Sequence, residues 1–280
     1  MNVDVRPSPI AGTWYEGEPK ALARTVDAYM DRAQLPALDG DVVGLVAPHA
    51  GHRYSGPVAG YAFAAVRGLK PDVVAVLSPF HNYIDSPLLT TTHRAYGTPL
   101  GPAPVDRKRV DDLDAALRAE VGFGVTAIAR DPEHSLEIEL PFLQRALASE
   151  WKLLPLMVRS QEPDTCALIG RALAAVLHGA QALLVASTDL SHYEDQKTAL
   201  ALDGAMLEQV EAFDPDRAID VERSGRGYAC GLGALAVVMW AAREMGADRA
   251  VVLRHATSGD VTGDYKAVVG YGAAALLKSH

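Results

Sequence analysis

Short runs of Val, Leu and Ala punctuate the chain at Val42–Ala47, Val73–Leu77, Leu153–Val158, Ala182–Ala186 and Ala250–Leu253, and a further run, Ala267–Tyr271, closes it. None alternates polar with apolar, which is the pattern of strands covered on both sides of a sheet. Segments of helical period lie between them: Pro19–Ala33, Pro57–Val66, Arg107–Ala119, Leu136–Ala148, Pro163–Leu177, Ala199–Ala212 and Leu232–Met245, the last stopped by Gly246. This alternation predicts an α/β fold, a central sheet with helices on both faces. Ser86–Pro104 fits neither period, and Pro87, Pro99, Pro102 and Pro104 point to an irregular excursion packed beside the sheet. No repeat, low-complexity tract or Gly/Ser linker divides the sequence, so residues 1–280 are expected to form one domain.

Composition narrows the classes of function. With 49% hydrophobic and 22% charged residues, a chain of 280 residues buries a large core, which excludes a disordered protein or a disulfide scaffold. Its 26 Lys and Arg against 35 Asp and Glu leave a net charge of −9 with no basic run, so no nucleic-acid partner is expected. The apolar runs fall well short of the roughly 18 residues of a membrane span. Met1–Pro7 is polar and charged rather than signal-like, so the expected location is cytoplasmic with no membrane contact.

Ligands of open α/β sheets sit beyond the carboxyl ends of the strands, so the residues just after each apolar run carry the candidate chemistry. Val42–Ala47 is followed by Pro48-His49-Ala50-Gly51-His52-Arg53-Tyr54-Ser55-Gly56, Val73–Leu77 by Ser78-Pro79-Phe80-His81-Asn82, and Ala182–Ala186 by Ser187-Thr188-Asp189-Leu190-Ser191-His192-Tyr193. Histidines in the same topological position on strands far apart in sequence suggest a transition-metal site needing one more anionic donor. Of the two cysteines, Cys166 lies inside an amphipathic helical segment and reads as a buried hydrophobe. Cys230 precedes the helix at Leu232, where a helix N-terminus favours thiolate; it reads equally as a ligand or as a small residue beside a helix start. Asp189 and His192, spaced to face one cavity, are candidates to orient a bound water or move a proton. In Glu133-His134-Ser135-Leu136-Glu137 the two carboxylates are either part of the site or simply residents of a helix start and its solvated face. The turn Thr257-Ser258-Gly259-Asp260 after His255 reads as an ordinary polar turn, and His93, His178 and His280 are given no role.

Taken together, Ala11-Gly12-Thr13-Trp14-Tyr15, Pro48-His49-Ala50-Gly51 with Tyr54-Ser55-Gly56, Pro79-Phe80-His81, Glu133-His134-Ser135-Leu136-Glu137, Ser187–Tyr193 and Ala229-Cys230-Gly231 resemble the Memo family, also called AmmeMemoRadiSam system protein B. The resemblance implies a fold similar to LigB-type class III extradiol non-haem iron dioxygenases. It implies His49, His81 and Cys230 as metal ligands, with Asp189 and His192 beside them as catalytic groups. Iron(II) is the expected metal, with copper or zinc as alternatives. The resemblance further implies a redox enzyme associated with radical-SAM and AMMECR-type proteins, or alternatively a non-catalytic module that binds a peptide or protein in the same cleft. The chain departs from the family pattern at His52, where an aromatic Tyr is expected, and at Leu232, where Arg is common; His52 thus brings a further imidazole toward the cleft.

Overall fold

The fold is described by a computed structural model over residues 4–280; of the polar opening segment, residues 1–3 lie outside the described residues. In chain order the elements are β1 (Val5–Arg6), α1 (Pro19–Asp31), β2 (Asp41–Ala47), α2 (His52–Ala64), β3 (Val73–Ser78), β4 (Leu88–Thr91), β5 (Ala95–Thr98), β6 (Gly101–Pro104), α3 (Arg107–Val121) and β7 (Thr126–Ile128). A 3-10 turn (Glu137–Glu139) then leads into α4 (Leu140–Ala146), β8 (Lys152–Val158), α5 (Pro163–Leu177), β9 (Ala182–Ser187), β10 (His192–Glu194), α6 (Gln196–Glu211), α7 (Pro215–Arg223), α8 (Leu232–Glu244), β11 (Arg249–Thr257), α9 (Gly259–Thr262) and β12 (Val268–Lys278).

The main sheet runs β10-β12-β2-β9-β3-β8-β4-β7, with β11 also paired to β12. Its centre, β2-β9-β3-β8, is parallel. Every residue of β3 is buried, as is every residue of β8 and β9 after the first, which is why these strands read as unbroken apolar runs. Helices flank the sheet: α1 packs on α2 and α4, and α8 packs on α5 and α7. Close approach between α5 and α8 depends on Gly170, where a Cβ would stand 2.6 Å from that of Trp240.

The sequence pattern and the structure differ in four places. Ser86–Pro104 is not irregular: β4 joins the main sheet against β8, while β5 and β6 form a small separate sheet with β1. Pro102 and Pro104 fit there because β6 pairs only with β5, and an edge strand has no need of their missing N–H groups. The helix expected at Leu136 is a 3-10 turn before α4, and the one expected at Pro57 starts earlier, at His52. The charged helix α7 was not expected, because its apolar face is only a few residues wide. Gly246 follows α8 with φ of +94°, the left-handed conformation of a helix stop.

Candidate metal centre

Because β2, β9 and β3 are adjacent and parallel, their carboxyl ends open along one edge of the sheet. His49 lies just past β2, His81 just past β3 and Asp189 just past β9. The His49 and His81 ring centroids are 5.5 Å apart, edge to face. A further imidazole joins them: His134 lies 5.7 Å from His49 and stacks on His81 at 4.8 Å. One ring nitrogen of each of His49, His81 and His134 lies within 4.8 Å of the others, so this group could hold a metal ion. That spacing is close to the roughly 4.2 Å that two metal–nitrogen bonds of about 2.1 Å can span.

Imidazole donors suit a first-row transition ion better than magnesium or calcium, which take oxygen ligands. Each ring is held from behind. Nδ1 of His49 meets Ser187 Oγ at 3.0 Å, Nδ1 of His81 meets Glu133 Oε1 at 2.9 Å, and Nδ1 of His134 lies 3.3 Å from the same carboxylate oxygen. This leaves the other nitrogen of His81 and of His134 for a ligand, while that of His49 meets the Cys230 thiol at 3.1 Å. Outer groups that fix tautomer and ring direction are typical of ligating histidines.

Cys230 comes in from the loop before α8. Its Sγ lies 3.1 Å from His49 Nε2 and accepts the Asp189 N–H at 3.2 Å, while the Cys230 N–H donates to the Asp189 carbonyl at 3.1 Å. Gly231 makes this approach possible, because a Cβ there would stand 2.4 Å from the Ser187 carbonyl oxygen. The expected lowering of the thiol by the helix start does not occur in the metal-free chain. Burial, followed by the nearby Asp189 carboxylate, pushes the Cys230 thiol up. A helix end contributes only partial charges, which desolvation outweighs.

Asp189 does not orient His192. Its Oδ1 accepts the backbone N–H of His49 at 2.7 Å and of Ala50 at 3.3 Å, so it braces the turn that carries His49. Burial, partly offset by those N–H groups, moves its pKa up to about 7. The His192 ring is held instead by the Leu190 carbonyl, 2.7 Å from Nδ1, and lies edge-on to Tyr193 and Tyr228. The reason is local: His192 begins β10, and its backbone pairs with Val269.

Neither carboxylate of the 133–137 segment sits on a solvated face. Glu133 accepts from the His81 N–H at 2.7 Å and from His134 N, Ser135 N and Ser135 Oγ. Although burial opposes its charge, His81 and these donors hold Glu133 well below the usual carboxylate range. Glu133 in turn raises His81, whereas burial lowers both His49 and His134. Glu137 accepts from Arg6, Ser8 and Tyr15.

His52 is a core residue, not a rim imidazole. It is 3% exposed, donates from Nε2 to the Ile138 carbonyl at 3.0 Å and packs on Phe142 and Tyr15. Burial pushes it down to about 4. Leu232 is buried at the start of α8 and brings no charge to the site. Cys166 is fully buried in α5 with its thiol pushed up to about 12, and Cys166 Sγ lies 3.5 Å from the Ser160 carbonyl oxygen.

The sequence pattern did not single out His134, Ser187 or Glu139 as site residues. His134 follows no apolar run, so its only signals are its place near Glu133 and Glu137 and its membership of the Glu133–Glu137 stretch that carries the family resemblance. Ser187 ends β9 with its side chain toward His49 and Glu139, a placement that requires the sheet order to be known.

The fold and the site together define an α/β protein with an imidazole-rich pocket at the strand ends that could hold a metal ion. The chain belongs to the Memo family: the sequence model of the Memo-like protein family matches residues 6–275. It is 35% identical over 284 residues to a MEMO1 family protein of Thermotoga maritima, covering 97% of this chain and 99% of that one. A MEMO1 family protein of Methanothermobacter thermautotrophicus is 34% identical, covering 95% and 98% of the two chains, and one of Nitrosopumilus maritimus is 31% identical, covering 96% and 98%. An uncharacterized protein of Escherichia coli K12, JW3007, has a solved structure with a TM-score of 0.45 and 14% identity, covering 72% of this chain and 86% of that one. No helix among the described residues is long and apolar enough to cross a membrane.

Proposed function

We propose that this chain is a metal-dependent oxidoreductase whose site is formed by His49, His81 and Cys230, with His134 as a further donor. Iron(II) is the favoured ion, with copper or zinc also suited to the mixed nitrogen and sulfur donors. The observation that carries this reading is the convergence of three imidazoles at the strand ends, with His49 and His81 anchored through Nδ1 by Ser187 and Glu133. Such outer contacts fix the tautomer and direction of an imidazole that ligates a metal.

When bound, a redox-active ion would supply one-electron chemistry and an open position for a small oxidant. This chain's own residues supply the rest. Asp189, with a pKa up to about 7 and its carboxyl braced on the His49 turn, holds a proton near neutrality beside the thiol. His192, its Nδ1 on the Leu190 carbonyl, is the second candidate proton carrier. The resemblance to LigB-type dioxygenases supports the redox reading, although a thiolate in place of a carboxylate makes ring cleavage itself a poor fit.

The test is oxygen uptake by iron-loaded protein supplied with ascorbate. His49→Ala and His81→Ala, assayed at the same total iron, should fall to the rate of free iron. Equal rates in wild type and both variants would refute the reading.

A second reading is supported by a cavity of about 670 Å³ beside the site, lined by Trp14, Arg53, Tyr54, Tyr193 and Tyr271 among others. Trp14, Tyr54 and Tyr193 are exposed aromatic rings, the kind of surface that anchors a peptide or a partner protein such as a radical-SAM or AMMECR-type protein. A binding module of this kind would keep its partner after chelation of the metal, whereas a metal-dependent enzyme would lose turnover.

A further inference from the structure

Arg6 is the largest of the fully buried side chains, with 1% of its surface exposed, and it lies on the short strand β1, 125 positions before the nearest residue it contacts in the loop after β7. Its guanidinium reaches that loop at several points. Nε donates to the Asp131 carbonyl at 3.1 Å and pairs with the Asp131 carboxylate at 2.8 Å. Nη1 donates to Glu137 Oε2 and Nη2 to the Glu133 carbonyl, each at 2.5 Å. The guanidinium also lies 4.7 Å over the Tyr96 ring, whose hydroxyl donates to Asp131 Oδ2 at 2.8 Å. Asp131 Oδ1 completes the circuit by accepting the Glu133 N–H at 2.9 Å.

The segment so gripped has no regular secondary structure until the turn at Ser135, and its one backbone tie to that turn is the Ile138 N–H donating to the His134 carbonyl at 3.0 Å, so most of its course is fixed by side chains. Glu133 faces two ways. Its carbonyl is held by Arg6, while its carboxylate is held against His81 and the N–H groups of His134 and Ser135. A single peptide unit therefore separates the Arg6 contact from His134. A charged network buried this completely, and tied to one irregular loop, is a costly way to add stability, since apolar packing of equal volume often does as well. Its distinctive product is position.

We propose that Arg6 is a positioning residue for the metal centre: through Asp131, Glu137 and the Glu133 carbonyl it sets where His134 and the Glu133 carboxylate stand. Contacts in several directions require the planar fork of arginine, and a lysine ammonium would keep the charge but lose the separate contacts. The inference rests on the reading of His134 as a metal donor.

The test is cobalt(II) titration of the full chain carrying Arg6→Lys, His134→Ala, or both. Arg6→Lys should weaken cobalt binding about 10- to 100-fold, as expected for loss of an outer-shell support. The double variant should lose less than the product of the two single losses, because Arg6 acts in part through His134 and in part through the Glu133 carboxylate on His81. Losses that multiply in the double variant, or unchanged affinity in Arg6→Lys, would overturn the inference. Should Arg6→Lys not fold, Tyr96→Phe removes one brace of Asp131 and should give a smaller loss with the same non-additivity; unchanged affinity there would overturn it equally. A metal-free reading comes from the His134 imidazole resonance, which the Trp14 ring, 4.2 Å away, shifts by its ring current. It should move in the folded Arg6 or Tyr96 variant, and an unmoved resonance would overturn the inference. If wild-type protein takes up no cobalt, the metal reading fails while the resonance still decides the role of Arg6.

Discussion

The Glu133 carboxylate grips His81 at two points, accepting its backbone N–H at 2.7 Å and its Nδ1–H at 2.9 Å. An ionised carboxylate can only accept, so the imidazole must carry its proton on Nδ1 and turn Nε2 away from Glu133. Glu133→Gln should therefore weaken metal binding about 10- to 100-fold while leaving the fold in place. Isothermal titration with cobalt(II) measures this, and unchanged affinity would show that Glu133 merely caps the following turn.

The same pair makes a prediction for the metal-free chain. Glu133 is held low, so its contribution is present above its unfolded value of about 4.3 and lost as pH falls further. His81 is held high, so its contribution is present below about 6.5 and lost as pH rises through its folded value. The difference in urea midpoint between wild type and Glu133→Gln should peak at about pH 5–6 and shrink on either side. A difference that stays flat from acid to alkaline pH would contradict the pairing.

His52 gives an acid-sensitivity test unconnected with metal. Burial lowers it to about 4, so its contribution is complete above about 6.5 and is lost as pH falls from there toward 4. The loss should be of the order of 3 kcal/mol, at about 1.4 kcal/mol per pKa unit. His52→Gln should be less stable than wild type at pH 8 yet lose less on acidification. Denaturant midpoints across this range would refute the assignment if both proteins lost stability in parallel.

Cys230 and Cys166 should separate cleanly. Cys166→Ala should cost about 1 kcal/mol through a small cavity at its buried place in α5 and leave metal binding unchanged. Cys230→Ala should abolish the sulfur-to-cobalt charge-transfer band of the cobalt-loaded protein. A band that survives in Cys230→Ala and disappears in Cys166→Ala would reverse the assignment.

Asp189→Asn tests the proton role of the carboxyl. Because its folded pKa is raised to about 7, the native chain loses stability as pH rises from about 4 to 7, where the unfolded chain has already released that proton. The neutral Asn keeps an oxygen to accept from His49 N and Ala50 N and escapes that loss. Metal-free Asp189→Asn should match wild type at pH 4 and exceed it at pH 8, while oxygen uptake per bound metal falls. Lower stability at pH 8 with unchanged uptake would make Asp189 only a brace.

Much of this arrangement can be read from the chain because parallel strands buried on both faces have to be apolar throughout, so β2, β3, β8 and β9 announce themselves. Strand-end logic then brings His49, His81 and Asp189 to one edge without any knowledge of strand order. What sequence spacing does not carry is direction. Asp189 and His192 look like partners by spacing, but the pairing of β10 with β12 draws His192 away and leaves Asp189 to the His49 turn. His134 is hidden for a related reason, since it follows no apolar run and meets His49 and His81 only through the tertiary fold. Similarly, the proline-rich 86–104 segment forms strands because Pro102 and Pro104 fall on the edge strand β6 while Pro87 and Pro99 lie outside the strands, a fact of tertiary pairing.

The central claim, that the strand-end imidazoles and thiol form a metal centre, is tested most directly by elemental analysis of protein purified without oxygen or chelator. The account predicts close to one transition-metal ion per chain in wild type, iron foremost, and strong depletion in His49→Ala and His81→Ala preparations that remain folded. A wild-type protein free of transition metal, or variants that retain full occupancy, would contradict it.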